Sequence, residues 1–202
     1  MAKQVRYFRQ IVSHLNERYG SEKTDLIMDK ALKRYDEILE ENKNEPKEYH
    51  MHTLERIYPA ISMFDAMTGE GISREETASF LIDYYKWRSS KLAPAMKTVF
   101  KIPGLYKIVP KFFMNMTNKS FGPKAGFSSK DHSLSKTSMS FNMTKCPYNE
   151  KCRNYGCPEI VRGFCDANDI CYGNMHQKLS WDRTKTIGYG YDVCDFKISI
   201  KE

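Results

Sequence analysis

The first third of the chain carries hydrophobic residues at the three- and four-residue spacing of amphipathic helices. This pattern predicts a helix over residues 4–19, ended by Gly20, and a second helix over residues 24–42. A third helix is predicted over residues 52–67, where Pro59 either kinks the helix or divides it into two pieces. This part of the chain is therefore expected to be helical.

A helix start is encoded at Ser73, which is followed three residues later by a glutamate in the arrangement of a capping box. We expect that helix to run to about Ser89. Beyond Pro94, residues 96–116 contain two further prolines, which predicts short helical pieces and no single long helix. Residues 117–135 are expected to form a loop.

The period of the pattern changes in the last third of the chain. Residues 138–144, 178–187 and 194–200 alternate between two faces, which predicts three strands. Residues 148–172 place apolar side chains at helical spacing and predict one or two helices packed on the sheet. The glycines of segment 188–190 predict a hairpin turn. The expected fold class is α+β, with a helical N-terminal half followed by an antiparallel sheet covered by helices.

Length and composition are those of a globular protein. The chain has 202 residues, of which 41% are hydrophobic and 28% charged, and it can bury a core. We expect one integrated domain that joins a helical region, residues 1–130, to a cysteine-rich α+β region, residues 131–202. No apolar run approaches the length of a membrane-spanning helix, and the N-terminus lacks the features of a secretion signal. The expected location is the cytoplasm.

Positive charge is concentrated in the basic segment, residues 91–130, which holds eight lysines and no acidic residue. Its lysines alternate with aromatic residues and methionines. The pattern favours a core-packing segment with solvated lysines, and it leaves open a lid over the site or weak surface contact with a membrane through residues 96–130. Nucleic acid is not an expected partner.

All the cysteines fall within the last 57 residues of the chain. In a reducing compartment they are expected to be free thiols, metal ligands or a catalytic nucleophile before they are disulfides. No two of them have the C-x2-C spacing of a zinc ribbon or finger, which argues against a structural zinc ion. The six cysteines are Cys146, Cys152, Cys157, Cys165, Cys171 and Cys194.

The cysteine-rich region also contains a series of short motifs. They are Cys146-Pro147, Cys157-Pro158-Glu159, Phe164-Cys165, Arg183-Thr184-Lys185-Thr186 and Gly190-x-x-x-Cys194-Asp195-Phe196. Over residues 142–196 these motifs resemble the L-2-amino-thiazoline-4-carboxylic acid hydrolase family. The family's reaction opens a cyclic isothiourea at its amidine carbon and gives a carbamoyl derivative of cysteine.

The resemblance implies that a cysteine could be the nucleophile. A thiolate can attack the amidine carbon, form a covalent adduct and be released by water. Water under general-base catalysis or a metal-bound hydroxide could attack the same carbon instead. Two cysteines, Cys152 and Cys171, fall outside the family pattern and are expected to pack in the core. The candidate nucleophiles are Cys194, Cys165, Cys157 and Cys146.

Further site residues follow from the same resemblance. The candidate proton donors and acceptors are Glu159, Asp169 and His176, although Glu159 could simply favour a helix dipole and His176 could be an exposed loop residue. The substrate of the family carries a carboxylate, which an arginine binds better than a lysine. The expected substrate-binding residues are Arg183, Thr184, Thr186 and His176.

The C-terminal region also resembles, more distantly, the vinyl-reductase-type sensor domains, which bind small molecules and end in a Glu-x-x-Cys-x7-Cys-x-Phe metal site. Cys194 matches the last cysteine of that motif, but Thr186 and Arg183 occupy the other two ligand positions. No cofactor is therefore expected, and zinc or manganese could bind only by recruiting other cysteines. The main alternative to a hydrolase is a non-catalytic small-molecule binding or sensor module that responds to metal or redox state.

Overall fold

The computed structural model describes residues 5–201, apart from the side chain of Met96, so Gln4 of the first predicted helix lies outside the described residues. The chain forms two compact units. The first contains residues 5–84 and 150–160, and the second contains residues 85–149 and 161–201. The predicted α+β class is confirmed, because helices precede an antiparallel sheet. No helix in the described part of the chain is both long and apolar enough to span a membrane.

Within residues 5–201, six of the α-helices precede the first strand, and the other two lie between the second and third strands. The helices are α1 (Arg6–Tyr19), α2 (Ser21–Glu41), α3 (His50–His52), α4 (Tyr58–Gly69), α5 (Arg74–Phe100), α6 (Val109–Ser120), α7 (Pro147–Asn154) and α8 (Val161–Tyr172). The strands are β1 (Ser128–Leu134), β2 (Ser138–Lys145), β3 (Leu179–Asp182) and β4 (Cys194–Ile200).

The core of the first unit is built from α1, α2 and α4. The apolar stripes predicted for the first two helices are buried, and the rings of Phe8 and Tyr35 meet edge to face with centroids 5.4 Å apart. In α4 almost every side chain from Tyr58 to Met67 is buried, so this helix lies inside the unit instead of on its surface.

The proline of the third predicted helix divides it. A π-helical turn, Thr53–Ile57, stands between α3 and α4, and Pro59 lies in the first turn of α4. Because proline lacks an N–H group and its ring crowds the carbonyl four residues earlier, a wider turn at this point relieves both effects.

A buried carboxylate anchors the loop after α2. The side chain of Glu45 is only 6% exposed, and it accepts hydrogen bonds from the hydroxyls of Thr53 and Tyr58, each at 2.8 Å. Lys151 completes the arrangement with an ion pair of 2.7 Å to the same carboxylate. Burial and the neighbouring Glu45 raise the pKa of Tyr58, which therefore stays a donor. The charge is buried but fully paired, so removing it should cost stability.

The second unit contains the sheet, whose strand order is β1-β2-β4-β3 with every pair antiparallel. Alternation gives the sheet one apolar face and one polar face. Register pairs Met143 with Cys194 and Phe141 with Phe196 on the apolar face. On the other face Asn142 stands opposite Asp195. This alternation confirms the strand predicted over residues 194–200.

Aromatic rings connect two helices of the second unit to the sheet. Phe113 of α6 touches Tyr172 of α8, and Tyr172 touches Trp181 of β3, with centroids 5.2 and 5.1 Å apart. The series continues through Phe196 of β4 to Phe141 of β2. Each pair adds attraction to the area it buries, so this chain of rings fixes the helices on the apolar face.

The prediction that no long helix crosses Pro94 was wrong, because α5 continues through it to Phe100. Both Pro94 and Ser90, whose carbonyl would bond to residue 94, are exposed, so water can solvate the carbonyl that proline leaves unpaired. The hydroxyl of Thr98 donates to the Pro94 carbonyl at 2.9 Å, which supports the next turn.

Two predictions for the sheet region also need correction. Residues 117–135 are not a loop, because they contain the end of α6 and the whole of β1. That strand is exposed, polar and interrupted by irregular pairing near Asp131, so it lacks the alternation that predicts a strand. The strand predicted over residues 178–187 is shorter and ends at Asp182, because the following amide groups bond to a side chain instead of to a strand.

The predicted capping box at Ser73 is half formed. The serine hydroxyl accepts from the Glu76 amide at 3.1 Å, as expected. The Glu76 carboxylate, however, accepts from the hydroxyl of Tyr19 at 3.2 Å and from Arg18. The helix therefore starts as predicted, while its glutamate ties α5 to the end of α1.

We predict that Glu45→Ala destabilises the protein by about 3 kcal/mol, because the hydroxyls of Thr53 and Tyr58 and the ammonium group of Lys151 lose this acceptor. The measurement is the free energy of unfolding in urea. Glu40→Ala is the matched control: its ion pair with Lys43 is 72% and 62% exposed at the two side chains, and its loss should cost less than about 0.5 kcal/mol. Equal losses in the two variants would contradict the anchoring role of Glu45.

Candidate functional site

Three of the four candidate nucleophiles lie together in the second unit. Cys146 immediately precedes α7, Cys165 lies in the second turn of α8, and Cys194 begins β4. They are close enough for the charge of one thiolate to disfavour ionisation of another. The structure therefore brings together the three positions at which the resemblance implies a family cysteine.

Each of these thiols has a neighbour that would stabilise a thiolate. The amides of Asn149 and Tyr148, at the start of α7, face the sulfur of Cys146. The Thr186 hydroxyl bonds to Cys165, and the Ile187 amide donates to the sulfur of Cys194 at 3.2 Å. Such donors lower a thiol pKa.

Burial outweighs those donors. Burial raises the pKa of Cys146 to about 12 and that of Cys165 to about 11. Burial also raises the pKa of Cys194, against the Ile187 amide and the charge of Arg183. All three groups are consequently neutral thiols near pH 7, so a cysteine nucleophile at this site has to give up its proton as it attacks.

The connection between β3 and β4 forms one wall of this thiol cluster, and Asp195 fixes its course. The Asp195 carboxylate accepts from the amides of Thr184 and Lys185 at 2.9 and 2.6 Å and from the Thr184 hydroxyl at 2.6 Å. Burial works against ionisation, but these hydrogen bonds together lower the pKa of Asp195. Our sequence reasoning did not single out this residue, although its motif Cys194-Asp195-Phe196 was visible.

The far end of the same connection is attached to α8. The hydroxyl of Tyr189 donates to Asp166 at 2.7 Å, and the guanidinium of Arg162 lies over the Tyr189 ring, 5.2 Å from its centroid. Burial and the hydrogen bond to Asp166 raise the pKa of Tyr189 to about 12. The connection is thus held at both ends.

Gly188 sits where the connection presses against α8. A Cβ at this position would lie 2.7 Å from the sulfur of Cys165 and 2.8 Å from a methyl group of Val161. Both distances are shorter than any ordinary contact. As predicted, this glycine lies in the connection between two antiparallel strands, where it is part of a short 3-10 helix, Ile187–Tyr189, whose backbone approaches the thiol closely.

Arg183, the expected carboxylate-binding residue, is 2% exposed and already has an acidic partner. One of its terminal nitrogens donates to Asp169 at 2.5 Å and to the carbonyl of Cys165 at 2.9 Å. The guanidinium also packs over the ring of Phe196. Its Nε is buried and meets no acceptor within residues 5–201. Asp169 also accepts from the indole of Trp181, and its side chain is 46% exposed.

The remaining expected binding residues divide between the thiol cluster and other places. Thr186 belongs to the cluster through its bond to Cys165, whereas Thr184 is occupied by Asp195. His176 stacks on the ring of Tyr106 with centroids 4.9 Å apart, and its Nδ1 accepts from the amide of Lys178. The structure thus places His176 in a packing contact and not among the recorded neighbours of the thiols.

Two candidate catalytic residues, Cys157 and Glu159, belong to the first unit. Cys157 is completely buried, and Glu159 receives Arg74 in an ion pair of 2.6 Å. The guanidinium of Arg74 also donates to the carbonyl of Gly156 at 2.6 Å. Arg74 thus connects Glu159 to the backbone of the turn at Gly156.

The two cysteines expected to be packing residues differ in burial: Cys152 is buried and Cys171 is partly exposed. Cys152 is fully buried in the first unit. Cys171 lies in α8 of the second unit and donates from its sulfur to the carbonyl of Ser89 at 3.8 Å. Both placements agree with the expectation drawn from the sequence.

A cavity of about 310 Å³ lies on the polar face of the sheet. Its lining residues include three aspartates and no cysteine. Within residues 5–201, no three or more His, Cys, Asp or Glu side chains converge so as to hold a metal ion. The residues that line the cavity are Asp131, Ser140, Phe141, Asn142, Asp182, Thr184, Asp195, Phe196 and Lys197.

Comparison with known proteins identifies a family. A family model described as L-2-amino-thiazoline-4-carboxylic acid hydrolase matches residues 50–198, which confirms the resemblance seen over residues 142–196 and extends it into the helical part. No curated protein matches the sequence.

Similar solved structures include two H-NOX proteins. One is the Fe(II) unliganded protein from K. algicida, 14% identical, with 97% of this chain and 95% of that chain covered and a TM-score of 0.35. The other, from S. oneidensis in the Fe(II)NO ligation state, is 14% identical over 97% of this chain and 98% of that chain, with a TM-score of 0.34. TM-scores this low do not define a common fold.

We predict that Gly188→Ala destabilises the protein by about 1–3 kcal/mol, because the added methyl group overlaps the Cys165 sulfur and Val161. Thermal unfolding measures the effect. Gly69→Ala is the control, because a Cβ at Gly69 meets nothing within 4 Å. Combining Gly188→Ala with Cys165→Ala should restore part of the lost stability. No loss in the single variant would show that the connection does not press on the thiol.

The thiol cluster should react slowly with alkylating agents at neutral pH. With its pKa raised from about 9 to about 11, Cys165 has about 100-fold less thiolate than an ordinary cysteine at pH 8. Its alkylation by iodoacetamide should therefore keep rising about tenfold per pH unit until about pH 11. Mass spectrometry of the peptides measures the rate, with urea-unfolded protein as control. A plateau near pH 8 in the folded protein would contradict the raised pKa.

Proposed function

Because the chain belongs to the L-2-amino-thiazoline-4-carboxylic acid hydrolase family, we propose that it hydrolyses a small cyclic amidine, such as 2-amino-thiazoline-4-carboxylate, to a carbamoyl-cysteine product. The observation that carries the proposal is the meeting of Cys146, Cys165 and Cys194 beside Arg183 and Thr186. A family match does not define the substrate, so the activity rests on this chemistry.

A protonated thiol suits this substrate, because an amidine is itself a base. As the thiol sulfur bonds to the amidine carbon, its proton passes to the amidine nitrogen. The carbon–sulfur bond of the ring then breaks, and the ring sulfur leaves with a proton. Water adds to the carbon, the enzyme thiol departs with a proton, and the carbamoyl group remains on the cysteine nitrogen. The net reaction consumes one water molecule.

Cys165 is the best candidate for the nucleophile. It is partly exposed, whereas Cys194 is buried. Arg183 and the Thr186 hydroxyl both favour its thiolate form. Cys146 is also partly exposed and keeps the contribution of the α7 amides, so it is the second candidate. Cys194 then packs beside the nucleophile.

Arg183 would bind the substrate carboxylate by exchanging one carboxylate for another. Its present partner, Asp169, has a side chain that is 46% exposed, so this carboxylate can turn toward water. The substrate carboxylate would then pair with the buried guanidinium in its place. A substrate carboxylate in its place could reach both the terminal nitrogen and the unpaired Nε, which is the bidentate geometry that arginine favours. The released Asp169 would stand beside the site as a proton acceptor.

A binding module without turnover is the second candidate function. The observation that favours it is the cavity on the polar sheet face, whose lining contains none of the cysteines. A ligand held there would contact Asp182 and Asp195 instead of a thiol. Such a protein would bind a small molecule and release it unchanged.

We predict that the protein converts 2-amino-thiazoline-4-carboxylate to carbamoyl-cysteine and that Cys165→Ala lowers kcat by at least about 100-fold, because the covalent route is lost. Arg183→Lys should mainly raise KM, since a lysine keeps the charge but not the fork. The measurement is mass spectrometry of the product. Cys171→Ala, a variant of the same helix outside the cluster, is the control and should keep full activity.

The assay also separates the candidates. Equal activity in Cys165→Ala and wild type, with loss in Cys146→Ala, would move the nucleophile to Cys146. Turnover that survives in all three cluster variants would exclude a cysteine nucleophile. No turnover in the wild type, together with calorimetric binding of the substrate that Asp182→Asn abolishes, would replace the hydrolase with the binding module.

A further inference from the structure

Ten large hydrophobic side chains are exposed in the described part of the chain. Half of them lie in a 21-residue stretch inside the basic segment, from Leu92 to Phe112. Ile102, Ile108 and Phe112 are 58%, 56% and 53% exposed. Single exposed hydrophobic residues are ordinary on a protein surface. Five of the ten lie in this one short stretch, with Leu92 and Val99 completing the set, so exposed apolar side chains are concentrated in this part of the sequence.

The segment carries these side chains in two groups, one on α5 and one around the start of α6. Leu92 and Val99 are seven residues apart on α5, which places them on one face of the helix. A turn at Gly104, which has the left-handed φ of 79°, leads through a 3-10 helix, Leu105–Ile108, into α6. Ile108 and Phe112 are then one helical turn apart. Ile102 stands in the turn itself.

The opposite side of the segment is firmly packed. Val109, Phe113 and Met114 of α6 are buried, and Tyr106 stacks on His176. The ammonium group of Lys178 lies over the Tyr106 ring, 5.5 Å from its centroid. The exposed side chains are therefore held outward by a fixed support, and the fold of the second unit does not need them for its core.

The charge around this surface has one sign. All eight lysines of residues 91–130 are exposed, and the same stretch contains no carboxylate. In the part of the chain that the structure describes, the ion pairs are formed by other cations, such as Lys86 with Asp166. The segment thus combines exposed apolar side chains with positive charge that no acidic residue of the same stretch offsets.

We propose that residues 91–119 form a docking surface for an anionic lipid bilayer. Lysines attract the acidic headgroups, while Ile102, Ile108 and Phe112 enter the boundary between headgroups and acyl chains. A nucleic acid would complement the lysines, but its phosphates offer nothing to the aliphatic side chains. The apolar surface therefore favours lipid as the partner.

The test is co-sedimentation of the full chain with vesicles of phosphatidylcholine alone or with about one third phosphatidylserine. We expect binding to the anionic vesicles only, and weaker binding in 0.5 M salt, where the Debye length falls below about 5 Å. Equal binding to both vesicle types, or none to either, would overturn the proposal.

Variants distinguish insertion from charge attraction. Ile102→Ser and Phe112→Ser should each lower the partition coefficient about tenfold, because each removes an inserted apolar side chain. Lys107→Glu should lower it by about fivefold or more. The controls are Leu26→Ser and Lys33→Glu, which change exposed residues of α2 and should leave binding unchanged. All these residues are exposed, so circular dichroism should show folded protein in every case.

Two results would contradict the lipid partner. Vesicle binding that is lost in Lys107→Glu but unchanged in both serine variants would show a purely electrostatic surface without insertion. Binding of a single-stranded or duplex oligonucleotide with no vesicle binding would assign the surface to nucleic acid. Neither result depends on hydrolase activity, so the two proposals can fail separately.

Discussion

The candidate site depends on the two-residue period of a strand at the first positions of β4. Because neighbouring side chains point to opposite faces, Cys194 enters the apolar side while Asp195 turns to the polar side. The connection from β3 is held on both residues: its Thr184 and Lys185 amides bond to Asp195, and its Ile187 amide bonds to Cys194. Without these hydrogen bonds the β3–β4 connection, which forms one wall of the thiol cluster, would lose its fixed position.

The thiols of the cluster are protonated near neutral pH. Burial keeps them neutral, although neighbouring amides, a hydroxyl and a guanidinium would stabilise a thiolate. The positive charge of Arg183 is meanwhile balanced by Asp169. A neutral resting site avoids the cost of buried unpaired charge. In the reaction that we propose, the chemistry would therefore start from the substrate, which would bring both a basic nitrogen and a carboxylate.

The second unit combines the thiol cluster with the basic segment, and the same aromatic contacts support both. Phe113 of α6 packs against Tyr172 of α8, the helix that also carries Cys165. A bilayer bound to the outer face of α6 would therefore contact a helix that packs, through Phe113 and Tyr172, against the helix carrying Cys165. Function of the two features remains separable, because the docking side chains point away from the buried face of α6.

Local patterns along the chain were sufficient for α1, α2, the start of α5, β4 and the family. Helical spacing and strand alternation are properties of neighbouring residues, so α1, α2 and the start of α5 could be read directly. The β1 strand could not, since an exposed polar edge strand buries no alternating face. The prediction that no long helix crosses Pro94 failed because the Ser90 carbonyl, which proline leaves unpaired, is exposed and accessible to water. A sequence motif does not record that exposure.

The sequence by itself determined which residue types were available: clustered cysteines, an arginine, a run of lysines and the motifs of a hydrolase family. Only the tertiary structure decided which of them meet. It assembled Cys146, Cys165 and Cys194, placed Cys157 in the other unit and gave Arg183 an acidic partner. It also set the thiol pKa values, because burial depends on residues far apart in the chain and is invisible in the spacing of any motif.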